Sequence, residues 1–309
     1  MESLLTISGR TVSEFSFGTM QFGGGADEAA AFEIYGACRE VGINFFDTAY
    51  LYAEGRAEEI IGQLVAPERD DIFLATKCGY HGASAAVIDR EFSESRRRLG
   101  CETLDLLYVH RWDAVAPLNE SLGALAGYVR SGAVRYVGLS NFAAWQVMKA
   151  VRVGADLGLD VTFLQPMYNL VKRQAEVEIL PMAEAEGFAV CPYSPLGGGL
   201  LTGKYAAGET GRLTTNAHYA SRYREPWMAT SAASLAGVAA RLGVASATLA
   251  VAWAGRHPGV WGPIISARSL TQIRPSLAGV GFEMDDALYQ EISALSPTPP
   301  PATDRTEVV

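Results

Sequence analysis

Four reactive side chains stand at the ends of short apolar runs in this 309-residue chain. Asp47 ends the run that starts at Asn44, and Tyr52 lies just beyond it. Lys77 follows Phe73–Thr76, and His110 follows Leu104–Val109. An acid, a phenol, an amine and an imidazole so placed suit one kind of chemistry. A tyrosine hydroxyl has an ordinary pKa near ~10 and is a weak acid at neutral pH. A neighbouring ammonium favours the phenolate and lowers that value. Lys77 could supply that charge, Asp47 could hold Lys77 as an ion pair, and His110 could hydrogen-bond a substrate oxygen. Together they would make a tuned general acid, suited to protonating a carbonyl oxygen while hydride reaches its carbon. Singly, each has a plainer explanation. Tyr52 could be packing, Asp47-Thr48 a helix cap, Lys77 a solvated surface residue and His110 a satisfied core histidine. Those explanations would have to coincide at successive strand ends.

The elements that must position these residues alternate between strand and helix patterns. Candidate strands are Phe15–Met20, Asn44–Ala49, Phe73–Cys78, Leu104–His110, Val134–Ser140, Thr162–Tyr168, Ala189–Ser194 and Gly262–Ser266. Between them, Ala29–Val41 carries an apolar stripe at Ala31, Ile34, Tyr35 and Cys38, the spacing of an amphipathic helix. Similar stretches cover Glu58–Val65, Ala86–Leu99, Leu118–Ser131, Trp145–Leu157 and Glu176–Glu186. Gly42, Gly100, Gly132, Gly158 and Gly187 follow helices, where a left-handed cap is wanted. Strands alternating with helices imply parallel βαβ units. Eight in a row without a compositional break favour a closed (β/α)8 TIM barrel over an open doubly wound sheet. The whole chain, 1–309, is expected to form one such α/β domain.

The regular spacing breaks between Ser194 and Gly262. That interval holds Gly197-Gly198-Gly199, a polar loop around Tyr205–Trp227, and helical patterns over Ser231–Leu242 and Ser246–Gly255. A long insertion on this side of a barrel strand is commonly functional. Leu4–Ile7 and Thr11–Val12 flank Ser8-Gly9-Arg10 and predict an N-terminal β-hairpin under the barrel. Extra C-terminal helices are expected over Leu270–Leu277 and Met284–Leu295. The tail, 296–309, is Pro-rich and then charged.

Composition narrows the partners. Hydrophobic residues make up 49% of the chain, ample for a large core, and the net charge is −9. An acidic balance argues against nucleic acid or an anionic membrane as partner. Cys38, Cys78, Cys101 and Cys191 form no CxxC pair, and the histidines are scattered, so no metal is expected. The N-terminus lacks a basic segment leading into an apolar one, and no apolar run approaches the ~20 residues of a membrane span. The expectation is a cytoplasmic protein.

Asp47-Thr48-Ala49-Tyr50-Leu51-Tyr52, followed by Glu54-Gly55-Arg56-Ala57-Glu58-Glu59, resembles the first signature of the aldo-keto reductase superfamily. The resemblance runs from Phe17-Gly18-Thr19-Met20 to the helix after the last strand. It is strongest to bacterial members of broad or unassigned specificity. It implies a (β/α)8 barrel and nicotinamide-dependent reduction of aldehydes or ketones. In it Tyr52 matches the proton donor, Lys77 and Asp47 the tuning pair, and His110 the substrate-orienting imidazole. Ala53 departs from the pattern, since Gly commonly follows the tyrosine.

The resemblance also implies a cofactor site. Gly18, Thr19 and Met20 open it. Ser140 and Asn141 resemble the pair that bonds the nicotinamide carboxamide, Gln165 the residue that holds the same group from the other side, and Tyr193 the aromatic that stacks on the ring. Ser194-Pro195-Leu196-Gly197-Gly198-Gly199-Leu200-Leu201-Thr202-Gly203-Lys204 looks like the pyrophosphate-facing turn, in which Ser194, Leu196, Gly198, Leu201 and Lys204 make contact. Glycines there let backbone N–H groups approach an anion. No GxGxxG follows a strand, so a Rossmann site is not indicated. Ser266, Arg268, Gln272 and Ser276 resemble the residues around the adenosine 2′-phosphate, with Arg268 its natural partner. Relatives often carry Gly or Lys at the position of Ser266, and one clear cation makes NADPH preferred with NAD possible.

Met20, Gln21, Phe22, Tyr50, Tyr80 and Trp112 are expected to line the substrate mouth, with residues from Tyr219–Trp227. The substrate would be a small-molecule carbonyl compound. Two other readings stand beside this one. Relatives resembling potassium-channel β-subunits keep the same barrel and cofactor but serve mainly as binding partners. A phosphate-binding aldolase or isomerase barrel would have to treat the four opening residues as coincidence. Direction and oligomeric state are not set by the sequence.

Overall fold

The structure, a computed structural model, describes residues 4–303. Eight strands are all parallel. They are β1 (Ser16–Gly18), β2 (Phe45–Asp47), β3 (Phe73–Cys78), β4 (Leu104–Val109), β5 (Val134–Ser140), β6 (Val161–Gln165), β7 (Ala189–Val190) and β8 (Ile264–Ile265). They pair in the order β7-β6-β5-β4-β3-β2-β1-β8. The cylinder closes between β7 and β8 through a bridge from Tyr193 to Ile264 and bonds from the Trp261 and Ile264 N–H groups to the Val190 and Pro192 carbonyls, both 2.9 Å. The expected (β/α)8 barrel is present.

Its interior is filled by Phe45, Phe73, Leu106, Tyr108, Phe163 and Ile264, all buried. Gly138 makes room for the largest of these, since a Cβ there would fall 2.4 Å from the Tyr108 ring. The β5–β6 register shifts between Val137 and Gly138. Below, the expected hairpin is reduced to the Leu5–Thr11 bridge, with Thr6 N–H to the Arg10 carbonyl (2.8 Å) and Val12 N–H to the Leu4 carbonyl (2.9 Å). Val12 is buried and joins the interior cluster, so the hairpin plugs that end.

Helices α1 (Glu28–Glu40), α2 (Arg56–Val65), α3 (Ala85–Leu99), α4 (Leu118–Arg130), α5 (Ala144–Asp156) and α6 (Ile179–Glu186) each follow a strand. In α1 the Asp27 carboxylate caps Ala30 N–H, and the stripe Ala31, Ile34, Tyr35, Cys38 faces inward, as its spacing predicts. The five glycines expected to end helices have φ between 63° and 85°. Between β7 and β8 lie α7 (Arg212–Thr215), α8 (Ala217–Arg222), α9 (Pro226–Leu242) and α10 (Ser246–Arg256). The stretch read as a polar loop is therefore partly helical, and α9 starts at Pro226 rather than Ser231, using proline at a first-turn position. After β8 come α11 (Leu270–Val280) and α12 (Asp286–Ser293).

No single helix among the described residues is long and apolar enough to cross a membrane. Ser296 is buried and meets Arg173 Nη1 at 3.3 Å, so the tail begins tied down. Residues 297–303 run on without regular structure, and 304–309 lie outside the described residues.

Candidate active site

The mouth of the barrel, where successive strands end, gathers the four opening residues. Asp47 closes β2 and Lys77 lies near the end of β3. Both are buried, with Lys77 Nζ 2.5 Å from Asp47 Oδ1. The same ammonium donates to the Thr48 carbonyl at 2.7 Å and sits 5.0 Å from the centre of the Tyr52 ring. His110, one residue past β4, presents its ring edge-to-face to Tyr52, with centroids 6.1 Å apart. Its Nδ1 is buried without a partner.

Burial and neighbouring charge shift the pKa of each group. Burial works against the Lys77 charge, but Asp47 and Tyr52 outweigh it and hold its pKa above the ordinary lysine value. Burial pushes the Asp47 carboxyl up, and Lys77 and Gln165 pull it back. Burial raises the Tyr52 phenol too, and Lys77 only partly offsets that rise. Lys77 thus pulls the phenol down, as expected, against a larger upward push from burial. Desolvation of the phenolate costs more than the one ammonium returns, so Tyr52 keeps its proton at neutral pH. His110 is pushed down to about 3, first by burial and then by Lys77 and Arg111. It is neutral throughout the physiological range.

A second group of residues adjoins these four. Gln165, ending β6, donates to Asp47 Oδ2 at 2.9 Å. Ser140 Oγ donates to the Gln165 carbonyl at 3.1 Å. Asn141 Nδ2 donates to the His110 carbonyl at 3.0 Å, and Tyr193 donates to Asn141 Oδ1 at 2.7 Å. Asn141 and Ser194 both have left-handed backbones, with φ of 58° and 62°. A cavity of about 220 Å³ opens beside Asn141 and Tyr193, walled also by Phe142, Met167 and Lys172.

Beyond Tyr193 the chain enters the glycine turn. Gly197, Gly198 and Gly199 have φ of 56°, 65° and 94°. Leu201 is buried and Leu196 half-buried beneath it. Tyr205 and Leu213 fold over this turn, with Tyr205 donating to the Gly198 carbonyl at 3.0 Å. Lys204 lies within electrostatic reach of both Arg268 and Arg212; burial first, then these two cations, lower its pKa. Arg212 was not expected. Its only signal in the sequence is a second cation soon after Lys204, in a stretch read as polar loop.

Across the seam, Ser266, Arg268, Gln272 and Ser276 follow β8. Arg268 is exposed; its Nε donates to Gln21 (2.9 Å) and its N–H to Gln272 (3.2 Å). Ser266 Oγ, Ser276 Oγ and Thr19 Oγ1 are buried without partners. Thr19 N–H bonds the Asp47 carbonyl at 2.8 Å, while Gly18 pairs with Asp47 in the β1–β2 ladder. Met20 beside them is half-buried.

The mouth residues divide. Tyr80 is edge-to-face on His110 at 5.0 Å, with the Arg111 guanidinium 4.8 Å over its ring. Trp112 meets Phe142 and Trp145, each at 5.5 Å. Tyr219 is near enough to Tyr52 to act on its ionisation. The Tyr50 ring instead packs against Arg98 of α3, at 4.7 Å. Phe22 is fully buried against Phe17, in the core rather than at the mouth, because the β1–α1 turn folds its ring inward.

A family model described as Aldo/keto reductase family matches residues 14–297. The chain belongs to the aldo/keto reductase family. An uncharacterized oxidoreductase of Bacillus subtilis, YrpG, is 33% identical, covering 95% of this chain and 96% of its own. A probable voltage-gated potassium channel subunit beta of Oryza sativa is 35% identical over 86% of this chain and 87% of its own. The solved structure of the glycerol dehydrogenase AKR11B4 from Gluconobacter oxydans superposes with a TM-score of 0.81, at 27% identity, covering 93% and 92% of the two chains. In this family member Ala53 stands just after Tyr52 with φ 47°. Ala53→Gly should therefore raise stability by about 0.5–1 kcal/mol, the strain released less the added chain entropy. A thermal melt checks it; an unchanged or lower Tm would mean that the loop carries no strain at Ala53.

Proposed function

We propose that this protein is a cytoplasmic NAD(P)H-dependent reductase of aldehydes or ketones, with NADPH preferred and Tyr52 as general acid. The observation that carries the reading is the buried Lys77–Asp47 pair, 2.5 Å apart and directly beside the Tyr52 ring. The orphaned hydroxyls of Thr19, Ser266 and Ser276, the glycine turn and the converging cations Lys204, Arg212 and Arg268 fit a dinucleotide with an extra phosphate. In this reading Ser140, Asn141 and Gln165 hold the carboxamide and Tyr193 stacks on the ring. A bound reduced nicotinamide supplies the hydride.

The protein's own residues do the rest. Neutral His110 hydrogen-bonds the carbonyl oxygen and aims it at Tyr52. Tyr52 transfers its phenolic proton to that oxygen as the carbon accepts hydride, so the alcohol leaves neutral. Lys77 stabilises the phenolate left behind, and Asp47 keeps Lys77 charged and in place. Tyr80 and Trp112 form aromatic walls around a small-molecule carbonyl. The four cysteines are free thiols, three of them buried, in keeping with a reducing compartment.

Arg268→Ala should weaken NADPH about 10- to 100-fold while leaving NADH nearly unchanged, because only the 2′-phosphate meets the guanidinium. Equal losses for both cofactors would reject that assignment. The rice relative supports a second reading, a cofactor-binding regulatory subunit resembling channel β-subunits. Titration with NADPH and NADH, followed by a panel of aldehydes, ketoses and steroids, separates the two. Turnover supports the reductase; tight binding with no turnover of any carbonyl supports the subunit.

A further inference from the structure

Tyr52 opens an unusual stretch of backbone. Ala53 (φ 47°, ψ 43°) and Glu54 (φ 55°, ψ 30°) are both left-handed, and Gly55 follows at φ 95°. Side chains seldom adopt this region, and a run of such residues persists only where its surroundings hold it. Tyr50 N–H bonds the Lys77 carbonyl at 3.1 Å and Tyr52 N–H the Ala49 carbonyl at 3.0 Å, and the side chain that meets the loop most closely is Arg98 of α3. Its Nη1 donates to the Tyr50 carbonyl at 2.9 Å, and its guanidinium lies 4.7 Å over the Tyr50 ring. A Cβ on Gly55 would fall 2.3 Å from Arg98 Cζ. Arg98 thus meets the loop on both sides of Tyr52.

Arg98 is itself anchored. It pairs with Glu94 at 3.0 Å and with Glu58 at 3.2 Å. Glu58 is a fully buried carboxylate on α2, and its other oxygen accepts from Thr76 Oγ1 at 2.7 Å. Thr76 is the residue before Lys77 on β3. A buried charge with no place among the four reactive residues needs a reason. This one ties the backbone under Tyr52 to the strand that carries Lys77.

We propose that Arg98, held by Glu58, is a positioning residue for Tyr52. It fixes the phenol against Lys77 and so sets how far the acid reaches and how readily it gives up its proton. This rests on the reading of Tyr52 as the acid.

The test is Arg98→Met, compared with the unaltered protein for kcat, KM, NADPH affinity and the pH profile of kcat. The kcat should fall about 10- to 100-fold, the scale of a misplaced catalytic group, while NADPH affinity changes less than about twofold. A phenol moved away from Lys77 loses the contribution that lowers its pKa. The alkaline limb of the profile, where Tyr52 loses its proton, should therefore move to higher pH. A merely structural role would leave that limb in place. Arg98→Lys keeps the charge but not the fork that spans Glu58 and the Tyr50 carbonyl, and should show a smaller loss with the same shift. It decides the matter by the same measurements if the methionine variant does not fold. Wild-type kcat in these variants, or kcat and NADPH affinity falling together with an unmoved limb, would overturn the proposal. If the unaltered protein reduces no carbonyl, or Tyr52→Phe retains turnover, the reading of Tyr52 falls and this proposal with it. If turnover depends on Tyr52 but not on Arg98, only the proposal falls.

Discussion

Tyr52→Phe should lower kcat/KM for carbonyl reduction by about 10²- to 10⁴-fold, the usual worth of a positioned acid, while NADPH binds as before. The change replaces the hydroxyl by hydrogen, so the ring loses its acidic proton but otherwise keeps its contacts with Lys77 and His110. Fold and cofactor affinity therefore serve as internal controls. Fluorescence titration with NADPH and initial rates on one good substrate measure the two quantities. Turnover near that of the unaltered protein would remove Tyr52 from the mechanism.

Lys77→Met should have a double effect, on activity and on stability. The phenolate formed at Tyr52 would lose the ammonium beside it, so reduction should fall at least as far as in the tyrosine variant. Asp47 would be left as a buried carboxylate with Gln165 as its remaining side-chain partner. Breaking such a pair typically costs about 3–5 kcal/mol. The cost carries a pH signature. Lys77 is one of the groups holding the Asp47 pKa down against burial, so in the variant the folded-state value rises further above the unfolded one. The native state then binds the proton more tightly, and stability falls as pH climbs from the unfolded carboxylate range towards neutrality. The deficit in Tm should be smallest near pH 4 and largest at neutral pH. A deficit that grew on acidification would contradict the buried ion pair.

Much of this was legible in the sequence, for reasons that differ by element. β3 and β5 were expected with the bounds they have, because each is a run of six or seven residues with strand-forming composition, buried throughout in β3 and at all but Arg135 and Tyr136 in β5. The expectations for β6 and β7 ran several residues too far. Pro166 and Pro192 have no N–H to offer a neighbouring strand, so the regular ladders stop before them. The tetrad was visible because a (β/α)8 barrel puts every strand end on one rim, and the order of the residues along the chain becomes an arrangement in space. The rise in the Tyr52 pKa was not visible, since it depends on how completely the phenol is enclosed. Arg98 was not visible either. It follows Arg96 and Arg97 in a run that reads as solvated charge, and only the helix's rotation leaves Arg97 65% exposed and Arg98 13%.

A hoop with one short joint has a preferred place to open. β7 and β8 have two residues each, and between them the cylinder is fastened by one bridge and a few bonds, while β3, β4 and β5 are laced along nearly their full length. Local opening begins where the fewest bonds must break together. Tyr193 is itself one side of that joint, and the chain leaving its other edge carries Ser266 and Arg268. The residues assigned to the two ends of the dinucleotide thus stand on opposite lips of the weakest line in the barrel. A molecule reaching from one lip to the other would act as a clasp, and the tightness with which it is held would also measure how firmly the hoop stays shut.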